Sequence, residues 1–230
     1  MVDNASSDDT PRFFREWTGN QLRYIRNAAN VGLIQALNQG TRAASGDRLC
    51  FLHNDAEMRE PRWLERLEAA VDGPGRIGLA GLYGVRRLRR DGRYVGRTIV
   101  HALAGHATIR QPVVEVAAVD GVCLFVPRAI LEGVGGFDEG YGFYHGHDRD
   151  LSLAVLERGR RCLVVHAPFR HHGGRTRTRD FTRDPDEARR DRALRNSAMV
   201  RFSQKYRRIL PCDVRSRRER VRDWLGIGSA

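Results

Sequence analysis

The chain has 230 residues, 41% of them hydrophobic, which is enough for one full-sized globular core. Its four cysteines are scattered and form no CxxC pair, which excludes a disulfide framework or a zinc knuckle. No apolar run approaches the ~20 residues of a membrane-spanning helix, and the first residues lack the apolar core of a secretory signal. We therefore expect a reduced, cytoplasmic α/β protein.

The net charge of +12 belongs to the C-terminal third of the chain. From Arg158 to Arg222, 21 basic and 7 acidic residues give a local charge of +14, which leaves −2 for the rest. A solvated basic face explains this distribution most simply. Three functional interpretations stay open, namely attraction to anionic lipid headgroups, to a diphosphate substrate or to nucleic acid.

The first part of the chain alternates predicted strands and helices, which is typical of a sheet with helical crossovers. The predicted elements are a strand ending at residues 2–3, a helix face at 13–17, a strand at 22–25, a helix capped by Asn30 that ends near Gly46, and a buried strand at 49–52.

Polar side chains stand directly after the last of these strands, in the order His53, Asn54 and Asp55. In open α/β sheets, ligands bind beyond the carboxyl ends of the strands, so Asp55 stands where a ligand would lie. The same residues would also suit the N-cap of a following helix. This stretch alone does not decide between the two interpretations.

The rest of the chain continues the alternation with one irregular segment. Asp120 and Gly121 interrupt an apolar strand, where they form either a bulge or a close approach to a ligand. Glycines and aromatic residues interleave over 135–147, which favours an adaptable loop able to hold a ring. The predicted elements are a helix at 61–71, a strand at 77–85, a basic hairpin or mobile loop at 86–110, a β-stretch at 113–126, a helix from Asp148 to Gly159, a final strand at 162–165 and a charged helix at 184–206.

Asp55, Asp148 and His171 each lie at a strand end or a turn, so we expect them at one edge of the sheet. Two carboxylates and an imidazole suit a divalent cation with a general base nearby. Asp148 lies in a first helical turn, which favours an ionised carboxylate, although it is also an ordinary helix-starting residue. Arg175, beyond the histidines, is placed to neutralise phosphate oxygens.

Six motifs, taken in this order, resemble those of the inverting GT-A glycosyltransferases of family 2, close to the bacterial rhamnosyltransferase-like branch. They extend over most of residues 1–180, and they are specific together although each is weak alone. The motifs are Asp3-Asn4-Ala5-Ser6, Asn30-Val31-Gly32, His53-Asn54-Asp55, Gly135-Gly136-Phe137-Asp138-Glu139, His147-Asp148-Arg149-Asp150-Leu151 and His171-His172-Gly173-Gly174.

The resemblance implies an α/β, Rossmann-like GT-A domain at residues 1–182, with a mostly parallel sheet flanked by helices. A basic helical extension would follow at 183–230. The implied activity is transfer of a sugar from a nucleotide-diphosphate donor to an acceptor hydroxyl, with inversion and with Mg²⁺ or Mn²⁺ as cofactor. The acceptor would be a glycan, a lipid-linked sugar or a small molecule.

The resemblance also implies a role for each matching residue. His53 stands where the family has the first Asp of its metal motif, and His147 where it has a Glu, so we expect altered metal affinity and an altered base pKa. The implied roles are Asp148 as catalytic base, Asp55 and His171 as metal ligands, Asp3, Asn30, Gly32, His53, Asn54 and Arg175 as contacts of the nucleotide sugar, and Asp120, Gly121, His147 and Asp150 as contacts of the sugar or acceptor.

The family's first strand-helix unit has no counterpart before Met1 in this sequence. We expect that the chain starts late, that another chain supplies the unit, or that this is a weakened paralogue acting as a binding or partner subunit. An open sheet edge at Val2-Asp3 would then favour self-association or weak nucleotide binding. Nucleic-acid binding leaves the ordered acidic motifs unexplained, so we expect no nucleic-acid partner, while peripheral membrane contact stays open.

Overall fold

The computed structural model describes residues 1–19, 21–96, 99–100, 112–172 and 184–225. Its strands are β1 (Val2–Asp3), β2 (Ile25–Arg26), β3 (Arg48–Leu52), β4 (Ala56–Met58), β5 (Ile77–Gly81), β6 (Tyr83–Val85), β7 (Arg87–Leu88), β8 (Ile99–Val100), β9 (Val113–Val116), β10 (Ala118–Val119), β11 (Cys123–Pro127), β12 (Arg161–Val165), β13 (Phe169–His171) and β14 (Cys212–Asp213).

Among the described α-helices only the last two begin at a side-chain N-cap, the first of them at Asp184, whose carboxylate accepts a hydrogen bond from the Asp186 N–H at 2.8 Å ahead of a proline in the first turn. Among the described helices, none combines the length and apolar character needed to cross a membrane. They are α1 (Thr10–Glu16), α2 (Leu33–Ala43), α3 (Trp63–Asp72), α4 (Arg128–Gly133), α5 (His147–Glu157), α6 (Pro185–Lys205) and α7 (Arg217–Trp224), with a 3₁₀ turn at Glu139–Tyr141.

A five-stranded sheet forms the centre, in the order β3-β11-β5-β12-β9. Strands β3, β5 and β12 run in one direction, because β11 is antiparallel to both of its neighbours and β12 is parallel to β5. Strand β9 is antiparallel to β12 at the far edge. The sheet is therefore mixed, with its common direction set by three strands whose carboxyl ends face the same side.

Apolar residues cover both faces of this sheet. On one face, α3 buries Leu67 and Val71 in a cluster with Phe125 and Leu163. On the other face, the larger cluster takes in Leu151 and Val155 of α5 and residues of α6. Helices on both faces with a continuous apolar sheet between them make the chain an α/β protein, as expected.

The predicted strand at 77–85 is divided in two. Its first half is β5 of the central sheet, whereas β6 leaves that sheet and pairs with β10 and β8. Gly81 lies at the point where the two strands separate, and there the chain passes too close to its neighbours for a side chain. A Cβ at this position would lie 2.3 Å from Val119 Cγ1 and 2.4 Å from the carbonyl oxygen of Cys123. The stretch 113–126 is likewise divided, into β9, β10 and β11, so Asp120 and Gly121 lie in a connection between strands.

Three further expectations are corrected. Gly32, not Asn30, is the N-cap of α2, with φ of 90°, while the Asn30 side chain accepts a hydrogen bond from the Gly32 N–H at 3.0 Å. Residues 56–58 form a strand rather than part of a helix N-terminus, and β12 is followed by two more strands. The segment 86–110, predicted as a hairpin or mobile loop, contains strands β7 and β8, and Leu88 forms an antiparallel bridge with Tyr94; its residues 97–98 and 101–110 lie outside the described part.

The basic C-terminal segment packs on the same core as the preceding residues. Phe202 and Tyr206 are almost fully buried in the larger cluster, and β14 pairs with β7. Burial of each such ring contributes about 2 kcal/mol, which exceeds what helix propensity supplies to a charged helix of this kind. The packing of α6 thus fixes the helix against the sheet and, as described below, against a cavity.

Candidate active site

The first part of the site is a cluster of possible metal ligands made by pairing β13 with β4. In this antiparallel ladder His171 lies opposite Ala56, next to Asp55. His171 Nε2 is 3.1 Å from Asp55 Oδ1, and His53 Nδ1 is 3.8 Å from the same oxygen. Donor atoms of these three residues lie within 4.8 Å of one another, close enough to share one cation.

The two adjacent histidines point to different partners. The backbone N–H of His172 donates to the carbonyl of Asp55 at 2.9 Å, but its imidazole contacts Glu57 at 3.0 Å. The alternation of side chains along a strand explains this division, since neighbouring residues face opposite sides. His171 is therefore the histidine that faces the cluster.

The chemistry of the cluster fits a divalent transition metal. Burial lowers the pKa of His53, an effect that the neighbouring His171 reinforces against the opposing charge of Asp55. The neutral imidazole that results is the form that binds metals. Two imidazoles and one carboxylate form a donor set suited to borderline cations rather than to a cation that prefers oxygen alone.

The second part of the site is Asp148 in the first turn of α5. Burial opposes its ionisation, but the Arg149 guanidinium, His147 and N–H groups of Arg149 and Gly121 together lower its pKa. The Arg149 N–H donates to Asp148 Oδ1 at 2.8 Å. The carboxylate is consequently held ionised and available as a proton acceptor.

Asp120 lies beside Asp148 and has the opposite tendency. Burial and the negative charge of Asp148 raise its pKa to about 7, although Asp120 accepts a hydrogen bond from the Val122 N–H at 3.1 Å. Two carboxyl groups in one environment therefore differ in protonation, because Asp148 receives most of the stabilising donors. At pH 7 Asp120 is therefore about half protonated, whereas Asp148 is ionised.

The third part is the aromatic loop over 143–146, which α6 holds from outside. Asp191 of α6 is only 4% exposed, and its Oδ1 accepts from the Tyr144 hydroxyl at 2.8 Å and contacts His145 Nε2 at 2.7 Å. Its other oxygen accepts from Arg195 at 2.9 Å. A buried carboxylate with three polar partners thus ties the loop before Asp148 to a helix from the C-terminal segment.

These parts surround one cavity of about 1010 Å³, at the upper end of the sizes usual for ligand pockets. Asp148 and the cluster of His53, Asp55 and His171 both line this cavity. Nine of the residues predicted from the sequence line this cavity: Asn30, His53, Asn54, Asp55, Asp120, Gly121, His147, Asp148 and His171.

Asp3 and Gly32, predicted as nucleotide contacts, do not line the cavity. The Asp3 carboxylate accepts hydrogen bonds from the Ser6 N–H, Tyr24 and Arg26, which together outweigh burial and lower its pKa. Gly32 instead allows a close approach, because a Cβ there would lie 2.8 Å from the carbonyl oxygen of Phe143. The structure gives both residues internal contacts.

Asp150, predicted to contact sugar or acceptor, is also turned away from the cavity. It is 5% exposed and accepts from the hydroxyls of Tyr141 and Tyr206, at 2.8 and 3.0 Å. Lys205 Nζ lies 2.7 Å from the same oxygen. Asp150 therefore joins α5 to the end of α6, while the predicted diphosphate contact Arg175 lies outside the described residues.

Several cavity residues escaped the sequence analysis. Tyr94 lies under the Arg149 guanidinium, with 4.2 Å between the guanidinium carbon and the ring centre, and both residues line the cavity. One side of α6 also lines the cavity, through residues spaced three and four apart in the sequence. This spacing is visible in the sequence, but the sequence alone predicted only that the apolar residues of this helix pack on the domain. The wall residues of α6 are Glu187, Arg190, Asp191, Leu194 and Arg195.

Comparison with solved structures identifies the fold. The crystal structure of GalNAc-T7 with UDP, GalNAc and Mn²⁺ superposes with a TM-score of 0.58, covering 74% of this chain and 36% of that one at 18% identity. The protein therefore has the GT-A fold of glycosyltransferases, which confirms the fold class expected from the sequence.

Sequence comparison identifies the family. The family described as glycosyl transferase family 2 matches residues 1–133, more than half of the chain, and the protein belongs to it. The O-antigen biosynthesis protein RfbC of Myxococcus xanthus is 30% identical in an alignment of 202 residues that covers 81% of this chain and 16% of that protein. An uncharacterized glycosyltransferase of Mycobacterium tuberculosis is 25% identical over 156 residues, 68% of this chain and 56% of its own length. The chain thus spans only part of these relatives.

Proposed function

We propose that the protein transfers a sugar from a nucleotide-diphosphate donor to an acceptor hydroxyl, with inversion and with the help of a divalent cation. The observation that carries the proposal is the shared cavity of Asp148 and the cluster of His53, Asp55 and His171. Membership of glycosyl transferase family 2 supports the reaction class. Inversion in one displacement needs a base for the acceptor and a cation for the leaving group, and residues suited to each task line this one cavity.

The residues of the chain divide the work between them. The ionised Asp148 carboxylate takes the proton of the acceptor hydroxyl as its oxygen attacks the anomeric carbon. Asp120, whose pKa is raised to about 7, offers a hydrogen-bond donor beside that base in its protonated fraction. Asp55, His171 and His53 would hold the cation, which neutralises the diphosphate when bound.

The donor set also favours one cofactor over another. Imidazole ligands suit Mn²⁺ and later transition metals better than Mg²⁺, which prefers oxygen ligands. With His53 next to Asp55 in the cluster, we expect Mn²⁺ to support donor binding at lower concentration than Mg²⁺. GalNAc-T7 was crystallised with Mn²⁺, which agrees with a divalent cation in this fold.

The acceptor belongs to one of three classes, namely a glycan, a lipid-linked sugar or a small molecule with a free hydroxyl. The similarity to an O-antigen biosynthesis protein favours a saccharide acceptor. The aromatic loop and the wall from α6 offer ring surfaces and charged groups of both signs, which suit a polyhydroxylated ligand.

Calorimetric titration with uridine-, guanosine- and thymidine-diphosphate sugars, each with Mn²⁺, Mg²⁺ or no cation, tests the proposal. We expect at least one donor to bind only with a cation, and slow hydrolysis of that donor in the absence of an acceptor. Asp55→Ala should abolish the cation-dependent binding without unfolding the chain, because Asp55 is at the surface of the cavity. A folded protein that binds none of these donors would favour a partner subunit instead of an enzyme.

A further inference from the structure

The last described helix, α7, presents an apolar face to solvent. Val221, Trp224 and Leu225 are 47, 84 and 54% exposed, and no residue of α7 is buried. At about 100° per residue, these three positions fall on one side of the helix. A largely exposed tryptophan beside two exposed aliphatic side chains has an unfavourable hydration free energy, which a partner surface that covered them would remove.

The acidic residues of α7, Glu219 and Asp223, lie on the opposite side of the helix, where each pairs with an arginine outside it. Glu219 makes two bonds to the Arg86 guanidinium, at 2.7 and 3.0 Å, and also closes a capping box with Ser216. Asp223 pairs with Arg215, which also binds Asp213 through two nitrogens. These bonds fix the rotation of α7 about its axis, so its apolar face has a defined outward direction.

Arginines accompany the apolar residues on the outward side. Arg217, Arg218, Arg220 and Arg222 are all exposed, and four cations in eight residues form a dense basic patch. Within the described residues, no acidic side chain lies at ion-pair distance from Arg217, Arg218 or Arg222. Because both acids of the helix are neutralised by the body, the outward face is cationic and apolar together.

We propose that α7 is a docking surface for an anionic phospholipid bilayer. Tryptophan and aliphatic side chains enter the headgroup region of a bilayer, and arginines beside them pair with anionic lipids. A second copy of the chain is a poor occupant, because two such faces would bring eight arginines together. Nucleic acid would use the arginines but has no need of Val221 and Leu225.

Two strand pairings link the segment before α7 to a residue of the cavity wall. Strand β14, just before α7, pairs with β7 through Cys212–Leu88 and Asp213–Arg87. Leu88 also forms a β-bridge with Tyr94, which lines the cavity. These pairings hold α7 on the same body as the cavity, and, if the proposed transfer is correct, membrane docking through α7 would suit an acceptor carried on a lipid.

Vesicle sedimentation tests the surface independently of any transfer activity. The full chain should bind phosphatidylcholine vesicles that contain phosphatidylglycerol and should bind pure phosphatidylcholine much less. Trp224→Ser should weaken binding about ten-fold, as expected for loss of a buried ring, and Arg217→Gln with Arg218→Gln about thirty-fold at low salt. Trp17→Ser, which removes a tryptophan that is also exposed but lies outside this surface, should change nothing.

A fluorescence measurement separates insertion from simple charge attraction. Brominated lipids should quench the emission of the bound wild-type protein, whereas Trp224→Phe should bind vesicles normally and lose this quenching. Unchanged vesicle binding by Trp224→Ser overturns the proposal. The proposal is also overturned if light scattering shows a dimer that does not bind vesicles and that Trp224→Ser dissociates. It is overturned as well if the protein binds oligonucleotides through Arg217 and Arg218 without any need for Trp224.

Discussion

Replacement of Asp120 by Asn should stabilise the protein above neutral pH. The carboxyl is partly buried in the connection between strands β10 and β11, with Asp148 beside it, and burial and this neighbouring charge raise its pKa from 3.8 to about 7. An Asn side chain has nearly the same shape and keeps an oxygen for the Val122 N–H. The substitution therefore removes the titration without removing the hydrogen bond.

The sign and size of the effect follow from proton linkage. Between the unfolded pKa of 3.8 and the folded value of about 7, the folded state binds the proton that the unfolded state has lost. The free energy of unfolding therefore falls as pH rises through this window. A rise of this size corresponds to a loss of about 4 kcal/mol, complete above about pH 7 and absent below about pH 4. Asp120→Asn should regain up to that amount.

Urea unfolding of wild type and Asp120→Asn at several pH values measures this difference. We expect the two proteins to agree near pH 4 and the variant to be more stable near pH 8. Asp148→Asn provides a second arm, because removal of the neighbouring charge lowers the pKa of Asp120 and narrows the window. A difference that does not vary with pH, or a wild type more stable than the variant in alkaline solution, would refute the reasoning.

Three further predictions concern the cavity. Asp148→Asn should lower turnover about 10²- to 10⁴-fold with little change in donor affinity, since a base acts on the transition state; steady-state kinetics and calorimetry measure both quantities. Asp55→Ala and His171→Ala should each weaken cation-dependent donor binding in calorimetry, and His172→Ala should have a smaller effect because its imidazole contacts Glu57. Asp191→Asn should lower kcat/KM for the acceptor about ten-fold, because charge-assisted bonds hold the aromatic loop.

Controls and contrary outcomes can be stated for each of these. Asp186→Asn is an exposed carboxylate change on the same helix as Asp191 and should leave acceptor kinetics unaltered. If Asp148→Asn kept most of the wild-type turnover, the catalytic base would have to be a group other than Asp148. Equal donor affinity in His171→Ala and His172→Ala would rule out the cluster as a cation site.

The alternation of strands and helices was enough to predict an α/β fold, because apolar periodicity is a local property. Asp55, Asp148 and His171 could be placed at one sheet edge for the same reason, as each follows or begins a recognisable element. Their roles in catalysis and cation binding remain predictions. The local sequence pattern could not predict how the strands pair. The register of the β4–β13 ladder, for example, turns His171 rather than His172 toward Asp55.

Other features depended on contacts between distant parts of the chain. Asp3 matched a motif position, but nothing near it in sequence shows that Arg26 and Tyr24 occupy its carboxylate. Asp150 stands two residues from Asp148 and faces Tyr206 because helical geometry turns it away. The sequence predicts α6 as part of a C-terminal extension. Its polar residues line the cavity only because its apolar residues pack in the core, and that packing cannot be read from the sequence of the helix.

The short ladder between β4 and β13 joins segments that lie far apart in the chain, and the cation cluster exists only while that ladder is closed. A cation bound there would therefore stabilise the closed ladder, because the ladder could open only after the cation had been released. Amide hydrogen exchange at His172, whose N–H is bonded to the Asp55 carbonyl, would then report cation occupancy directly. If the cluster binds the proposed cation, the cation concentration would set how long this ladder stays closed as well as the rate of the proposed reaction.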